Sequence, residues 1–304
     1  MQRVPGCHEL SQATPEAFGG AEWCPLSGRY ARRAKSTQTY RYPNSALLPI
    51  VRVEVPPILF VHGLWHGAWC WEEHFVPWFQ ERGYEASAIT LRRHDQRHAP
   101  GLRMTRIRDY VEDVAAAAAT ITSPPVVVGH SMGGFVTQKY LEEHSAPAAV
   151  LVASVPPGGI MGATLRTAVR HPLRLLAVNL TWSLYGIVKT PERSREMFFG
   201  RELDDALVGR YQSKMTDDAY LAYLDMLLFV RPNVNKVRRT PLLVLGGDAD
   251  WTISAADVAT TARTYGAELS TFPGAHDLML EPGWEKVAER IDAFIRTKVP
   301  AGTS

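Results

Sequence analysis

Cysteine is scarce in this 304-residue sequence, which contains only Cys7, Cys24 and Cys70. An odd number of cysteines without a CxxC pair cannot form a complete intramolecular disulfide framework, so we expect a reducing, cytoplasmic location. Long apolar runs are also missing. No 18-residue apolar span occurs, and the first thirty residues hold no run of signal-peptide length. We therefore expect no membrane span.

The sequence also lacks an excess of either charge. It has 33 Lys and Arg residues against 31 Asp and Glu residues, for a formal net charge of +2. This balance gives no field strong enough to favour nucleic acid as a partner, and it points to a small neutral or weakly charged substrate. A hydrophobic content of 46% in a chain of this length predicts one sizeable core.

The order of apolar and turn residues divides the chain into three parts. Residues 1–28 are interrupted by Pro and Gly and read as an irregular N-terminal arm. Residues 29–155 and 236–304 alternate short apolar strands with amphipathic helices, which predicts an α/β core with a mostly parallel central sheet flanked by helices. Residues 156–235 show only helical periodicity and read as an insertion.

Residues 129–133 read Gly-His-Ser-Met-Gly between the apolar run Val126–Val128 and an amphipathic helix. A G-x-S-x-G sequence between a strand and a helix predicts a nucleophile elbow. The strained serine needs neighbours without bulky side chains, which Gly129 and Gly133 supply. The turn would place Ser131 at the positive end of the helix, where the backbone N–H of Met132 can bind a developing oxyanion. The alternative is an ordinary capping serine.

The first strong strand ends in His62-Gly63-Leu64, and this loop is expected beside the nucleophile turn. Gly63 lets the backbone turn so that the Leu64 N–H becomes a second oxyanion donor. His62 and His66 have the spacing of a metal pair, but they lie in a loop without an obvious third ligand, so we expect no metal.

His94 and His98 share the i, i+4 spacing of a metal pair in an Arg-rich loop. We expect both side chains to lie on a solvated surface.

A general base is expected downstream of the serine, in the order nucleophile, acid, histidine. After His171, in the helical insertion, the remaining histidine is His276, just past a predicted strand. The acid should follow the preceding strand, where Asp248 and Asp250 compete. We favour Asp250, which is farther past the strand end, and assign Asp248 to the turn. Asp225 is a remote third candidate.

These motifs together resemble the α/β-hydrolase superfamily, from about Ile58 to the end of the chain. The run HGLWHGAWCW at residues 62–71, with residues 129–134, is similar to the branch of methyl esterases and hydroxynitrile lyases. That resemblance implies an α/β-hydrolase fold and a helical cap formed by residues 156–235. Hydroxynitrile lyases of the branch carry a lysine after the catalytic histidine, where this chain has Asp277, so the resemblance favours an esterase.

The predicted activity is hydrolysis of a small or medium-sized hydrophobic carboxylic ester through an acyl-enzyme, without a cofactor. Large apolar side chains in the insertion predict an apolar pocket, and we name Trp65, Trp182, Tyr185 and Met226 as candidate substrate contacts.

Other activities on the same residues stay open. A thioesterase, a C–C bond hydrolase or an acyltransferase would use the same triad. A C–C bond lyase or a cofactor-free oxygenase would use it for proton transfer. A receptor for a small hydrophobic ligand is the alternative from outside enzymes.

Overall fold

The computed structural model of the protein describes residues 55–299. The predicted N-terminal arm, residues 1–28, and the first part of the predicted core, residues 29–54, lie outside the described residues. Cys7 and Cys24 lie there too, and the expectation of a cytoplasmic location stays a prediction. Within the described part, no helix has the length and apolarity needed to cross a membrane.

A six-stranded sheet forms the centre of the described chain, and every neighbouring pair of its strands is parallel. The strands alternate with helices along the sequence, as the apolar pattern predicts. They are β1 (Ile58–Val61), β2 (Ala86–Ile89), β3 (Val126–His130), β4 (Ala149–Val152), β5 (Leu242–Gly247) and β6 (Glu268–Phe272). The predicted parallel α/β architecture is confirmed.

The strand order across the sheet is β2-β1-β3-β4-β5-β6. The chain leaves β1 for β2 on one side and then returns to the other side of β1 to form β3. The carboxyl ends of β1 and β3 therefore make the switch point of the sheet, which is where open α/β sheets bind ligands. Both predicted loops of the site, after Val61 and after His130, start at this edge.

Helices flank the sheet, as the alternation of strands and helices predicts. Those that follow core strands are α1 (Trp69–Glu72), α2 (Phe75–Glu81), α3 (Ile107–Ala119), α4 (Met132–Tyr140), α11 (Ala255–Tyr265) and α12 (Trp284–Lys298). The apolar pattern of residues 69–82 predicts a single amphipathic helix, but this segment forms two helices, α1 and α2. The reason is Pro77, which has no N–H to donate to Glu73. A helix that restarts at Phe75 places Pro77 in its first turn, where no intrahelical donor is needed.

Between β4 and β5, the insertion at residues 156–235 is helical, as its periodicity predicts, and contains no strand. Its helices are α5 (Met161–Arg170), α6 (Pro172–Thr181), α7 (Pro191–Phe198), α8 (Asp205–Lys214), α9 (Tyr220–Leu224) and α10 (Val234–Val237). A π-helical turn, Asp225–Phe229, follows α9. The division of the chain into a core and a separate cap stays a prediction.

Aromatic rings pack closely together where β1 meets α1 and α2. Phe60 is fully buried, and its ring centroid lies 4.9 Å from that of Trp71 and 5.7 Å from that of Phe79. Apolar burial of this kind is the dominant favourable term in folding. It also fixes β1, the strand that leads into the loop at the switch point.

Phe60→Ala is expected to lower the free energy of unfolding by about 3 to 5 kcal/mol, because a large cavity opens in a region that cannot collapse. Urea denaturation followed by circular dichroism measures this loss. Phe272→Ala, at a half-buried position on the edge strand β6, is the matched control and should cost less. Equal losses for the two variants would contradict the central role of the β1 packing.

Candidate active site

Ser131 occupies a strained turn between β3 and α4. Its φ of 51° and ψ of −116° lie in a region that non-glycine residues rarely adopt. The backbone around it is held firmly, because Ser131 N donates to Val152 O at 3.0 Å and Val155 N donates to Ser131 O at 3.1 Å. Hydrogen bonds to the neighbouring strand β4 and to the loop that follows it therefore hold Ser131 in its strained conformation.

Glycines allow the turn to approach β1 closely. A Cβ atom at Gly133 would overlap the carbonyl oxygens of Val61 and His62, and one at Gly63 would lie 2.8 Å from the Cβ of Ser131. At Gly129, a Cβ would overlap the carbonyl oxygen of Gly133. The three predicted motif glycines thus lie where two backbone segments touch, and no larger residue fits there without a shift.

His276 lies in the loop after β6, and its imidazole is held by one carboxylate. His276 Nδ1 donates to Asp250 Oδ2 at 2.6 Å, and both side chains are buried. The other oxygen of Asp250 accepts from the backbone N–H groups of Thr252 at 2.8 Å and Ile253 at 2.9 Å. This arrangement fixes the orientation of the carboxylate and leaves Nε2 as the free nitrogen of the ring.

The two other candidate acids have different partners. Asp248 Oδ1 accepts from Gly274 N at 3.2 Å, which ties the strand end to the histidine loop. Asp225 accepts from Arg106 Nη1 at 2.7 Å. Of the three carboxylates considered from the sequence, only Asp250 is joined to His276.

The electrostatic surroundings of His276 favour its charged form. Burial by itself lowers the pKa of an imidazole, but the adjacent Asp250 carboxylate outweighs burial, so that the pKa of His276 lies above its ordinary value. Asp277 and Glu281 add to the same effect at longer range. A histidine with a raised pKa can accept a proton and retain it.

Ser131 and His276 line the same cavity. No hydrogen bond joins the Ser131 hydroxyl to any group among residues 55–299. Hydrogen bonds of this kind are often long or poorly aligned before a substrate binds. The two side chains therefore face one space in which a reacting group can meet both.

Two backbone N–H groups near Ser131 are unpaired within the described chain. Met132 N is at the first turn of α4, where N–H groups have no intrahelical acceptor and carry the positive end of the helix dipole. Leu64 N belongs to the loop after β1. Both residues are buried. Buried N–H groups without partners are uncommon, so these two are available to a bound oxygen.

The buried histidines near the site are held by protein partners. His62 Nδ1 donates to Gly63 O at 2.8 Å, and His62 Nε2 accepts from Leu91 N at 3.0 Å. Burial holds the pKa of His62 well below its ordinary value.

The expectation of a solvated surface was wrong for His94. This side chain is buried, and its Nε2 lies 3.1 Å from Asp218 Oδ2. Its partner comes from the helical insertion, and local spacing gives no sign of it. His98, by contrast, is exposed at 59% of its side chain.

One cluster has donor atoms close enough to hold a metal ion. Nitrogen and oxygen atoms of His130, His276 and Asp277 lie within 4.8 Å of one another. Each group already has a protein partner, since His130 Nε2 donates to His276 O at 3.2 Å and Asp277 accepts from His66. Burial lowers the pKa of His130 to about 3, and the nearby His276 adds to this. The cluster fits a hydrogen-bond network.

The cavity beside Ser131 is mainly apolar and takes its walls from both the core and the insertion. It holds about 580 Å³ of space outside the protein atoms, part of which is continuous with solvent. Its lining consists of Leu64, Trp65, Ser131, Ile160, Ala163, Thr164, Thr167, Leu175, Val178, Leu184, Ile187, Met197, Phe198, Tyr223, Thr252, Ile253 and His276.

Among the four residues named from the sequence as substrate contacts, Trp65 lines this cavity and the others do not. Trp182 is 47% exposed and stacks on Tyr220. The ring of Tyr185 packs against His98, and Met226 is fully buried outside the cavity. These side chains were predicted as substrate contacts because they are large and apolar. Whether a side chain lines the cavity depends instead on the direction in which it points.

The face of α5 that lines the cavity was not predicted from the sequence. Ile160, Ala163, Thr164 and Thr167 have the i, i+3, i+4, i+7 spacing of one helix face, which is a usable signal. The opposite face is apolar as well, since Leu165 and other large residues of α5 are exposed. Hydrophobicity therefore could not tell which face turns inward.

Comparisons with known proteins agree with this architecture. A model of the alpha/beta hydrolase family matches residues 58–290. The probable esterase PIR7A of Oryza sativa subsp. indica is 34% identical over 119 residues, which are 37% of this chain and 45% of that protein. The non-heme haloperoxidase of Rhodococcus erythropolis is 25% identical over 269 residues, or 79% of this chain and 92% of that protein.

Among solved structures, polyneuridine aldehyde esterase superposes with a TM-score of 0.60 at 17% identity, covering 79% of this chain and 100% of that chain. The match to the rice esterase spans less than half of that protein's length. The family model, in contrast, includes both loops at the switch point and His276. Because it matches most of the sequence, this chain belongs to the alpha/beta hydrolase family.

Proposed function

We propose that the protein is a serine hydrolase that cleaves a small or medium-sized hydrophobic carboxylic ester through an acyl-enzyme. The observation that carries this proposal is the shared cavity. A strained, buried serine at a helix start and an imidazole bonded to Asp250 both line one apolar space. This combination of nucleophile, base and orienting carboxylate is the arrangement that acyl transfer requires.

In the proposed acylation, Ser131 Oγ attacks the carbonyl carbon of the ester while its proton passes to His276 Nε2. The carbonyl oxygen becomes an oxyanion and accepts hydrogen bonds from Leu64 N–H and Met132 N–H. The tetrahedral intermediate then collapses, and the alcohol leaves with the proton that His276 returns. Water repeats the sequence on the acyl-enzyme, releasing the carboxylic acid and restoring the Ser131 hydroxyl.

Asp250 is proposed to act through the imidazole. Its Oδ2 holds the proton on Nδ1, so Nε2 faces the cavity as the acceptor nitrogen. Its negative charge also stabilises the imidazolium that forms during attack. The backbone bonds from Thr252 and Ile253 keep the carboxylate in place throughout the cycle.

The chemistry of the cavity wall supports a hydrophobic, uncharged substrate. Among the described residues that line the cavity, His276 and Tyr223 are the ionisable ones, and the other polar groups are mainly hydroxyls such as those of Thr164 and Thr167. Such a wall binds alkyl or aromatic groups and disfavours a charged one. The rice relative bears the name of a probable esterase, which agrees with this proposal. The position after His276 holds Asp277, which is buried against His66, so no cationic side chain stands there for cyanohydrin cleavage.

Ser131→Ala is expected to reduce hydrolysis of p-nitrophenyl butyrate to the level of the buffer blank, because the attacking hydroxyl is gone. A fluorophosphonate probe should label the natural protein and fail to label this variant. Ser154→Ala is the matched control, since Ser154 is a buried serine outside the cavity lining that is bonded to Gln138. An unchanged rate in Ser131→Ala would rule out the proposed mechanism.

Activity is expected to rise with pH through the pKa of His276, because only the neutral imidazole can accept the serine proton. Asp250 raises that pKa, so the acid limb of kcat/KM should lie above 6.5. In Asp250→Asn the limb should move to lower pH, and the plateau rate should fall by about 10⁴-fold. Hydrolysis rates across a pH series measure both effects. A limb that stays in place would show that Asp250 does not set this pKa.

Ala163→Leu is expected to shorten the range of acyl chains that the protein accepts. Ala163 is a small buried residue of α5 in the cavity wall, and added side-chain volume occupies the space of a longer chain. The value of kcat/KM should fall by about tenfold or more for p-nitrophenyl octanoate and change little for the acetate. Equal changes for both esters would mean that this wall does not contact the acyl group.

A further inference from the structure

The loop after β1 contains a tight turn with an unusual residue in it. His66 N donates to Gly63 O at 3.4 Å, which closes a four-residue turn with Leu64 and Trp65 in the middle. Trp65, the third residue, has a φ of 66°. Turns with a positive φ at this position normally use glycine or asparagine. A tryptophan there must be held by its surroundings.

The carbonyl end of the Leu64–Trp65 peptide is held by a buried histidine. His66 Nδ1 donates to Leu64 O at 2.7 Å, and His66 Nε2 donates to Asp277 Oδ2 at 3.0 Å. Burial alone would raise the pKa of Asp277, but His66 outweighs it, and the pKa lies below its ordinary value. Asp277 directly follows His276, so the His66–Asp277 pair joins the turn to the loop that contains His276.

The N–H end of the same peptide is held by a second pair, which comes from the helical insertion. Trp65 N donates to Asp218 Oδ2 at 2.6 Å, and His94 Nε2 donates to the same oxygen at 3.1 Å. The other oxygen of Asp218 accepts from Ala219 N at 2.6 Å. A neighbouring residue of the insertion adds a bond, because Thr216 N donates to Trp65 O at 3.0 Å.

We propose that two buried His–Asp pairs, His66–Asp277 and His94–Asp218, are positioning residues. They fix the orientation of the Leu64–Trp65 peptide, so that the unpaired Leu64 N–H points towards the oxyanion. This inference rests on the proposed function. Bonds at both ends of one peptide prevent it from rotating about the chain axis. The adjoining Leu64 N–H then keeps a fixed direction before substrate binds, which is the preorganisation that oxyanion binding demands.

The chemical nature of the two pairs supports a positioning role over simple stabilisation. Buried ion pairs add little net stability compared with apolar packing, because both charges lose their hydration. Here each pair instead anchors a strained turn to a remote part of the chain, with Asp277 from the last loop and Asp218 from the insertion. The insertion thereby takes part in building the catalytic turn as well as in lining the cavity.

Asp218→Asn and His66→Gln test the proposal. Both are expected to lower kcat for p-nitrophenyl butyrate by about 10- to 100-fold, part of the loss seen when an oxyanion donor is removed outright. KM should change by less than about threefold, because the ester carbonyl needs the donor mainly in the transition state. Binding of butylboronic acid, which forms a tetrahedral adduct with the serine, should weaken by the same factor as kcat.

Asp225→Asn is the matched control. Asp225 is also a buried carboxylate of the insertion that accepts from one backbone N–H, that of Ile107, and one cationic side chain, Arg106. Its kcat and boronic acid affinity should match those of the natural protein. If folded Asp218→Asn resembles Asp225→Asn in both measurements, the proposal is overturned. If Asp218→Asn does not fold, His94→Gln replaces it in the test, because this variant keeps the Asp218 carboxylate. It should show a smaller loss of kcat with an unchanged KM. An unchanged kcat in His94→Gln would overturn the proposal.

Amide hydrogen exchange separates this proposal from the proposed function. The segment 62–71 should exchange faster in Asp218→Asn than in Asp225→Asn, whatever reaction the protein catalyses. A Ser131→Ala variant with the natural rate would refute the serine mechanism alone. Unchanged exchange in segment 62–71 of Asp218→Asn would refute the lock on the turn alone.

Discussion

The register between β1 and β3 is the constraint on which the site depends. Val61 pairs with Gly129, so the loop after β1 and the turn after β3 leave the sheet side by side. Only residues without a side chain can occupy the points of contact, which explains Gly63 and Gly133 together. That contact brings the Leu64 and Met132 N–H groups to the same edge of the sheet as Ser131. The proposed chemistry is a consequence of how two parallel strands pair.

Around this contact, the remaining parts of the site come from distant segments of the sequence. The loops after β5 and β6 bring Asp250 to His276, and the helical insertion supplies most of the cavity wall. Each segment is fixed by backbone hydrogen bonds to carboxylates, as at Asp250 and Asp218. The site therefore depends on buried carboxylates as much as on apolar packing, because directional hydrogen bonds are needed to hold a strained backbone in one orientation.

Local patterns were sufficient to predict the sheet and to name Ser131, Asp250 and His276 as candidate site residues. The sequence pattern predicts a helix near residues 255–265 and a strand at residues 268–272. The bounds of α11 and β6 agree, because both segments have clear periodicity between turn residues. The choice of Asp250 over Asp248 followed from its distance past the strand end, and the structure joins Asp250 to His276. What local patterns could not supply was orientation. Large apolar residues such as Leu165 lie on the exposed face of α5, so hydrophobicity did not identify the face that turns inward. The partner of His94 lies 124 residues away in the insertion.

The proposed mechanism requires that Ser131 becomes covalently acylated during turnover. Rapid quenching of the natural protein during turnover of p-nitrophenyl butyrate, followed by mass spectrometry of its peptides, tests this requirement. A butyryl group is expected on the peptide that contains Ser131 and on no other serine. Rapid turnover with no acylated Ser131, or with the butyryl group on a different residue, would contradict it.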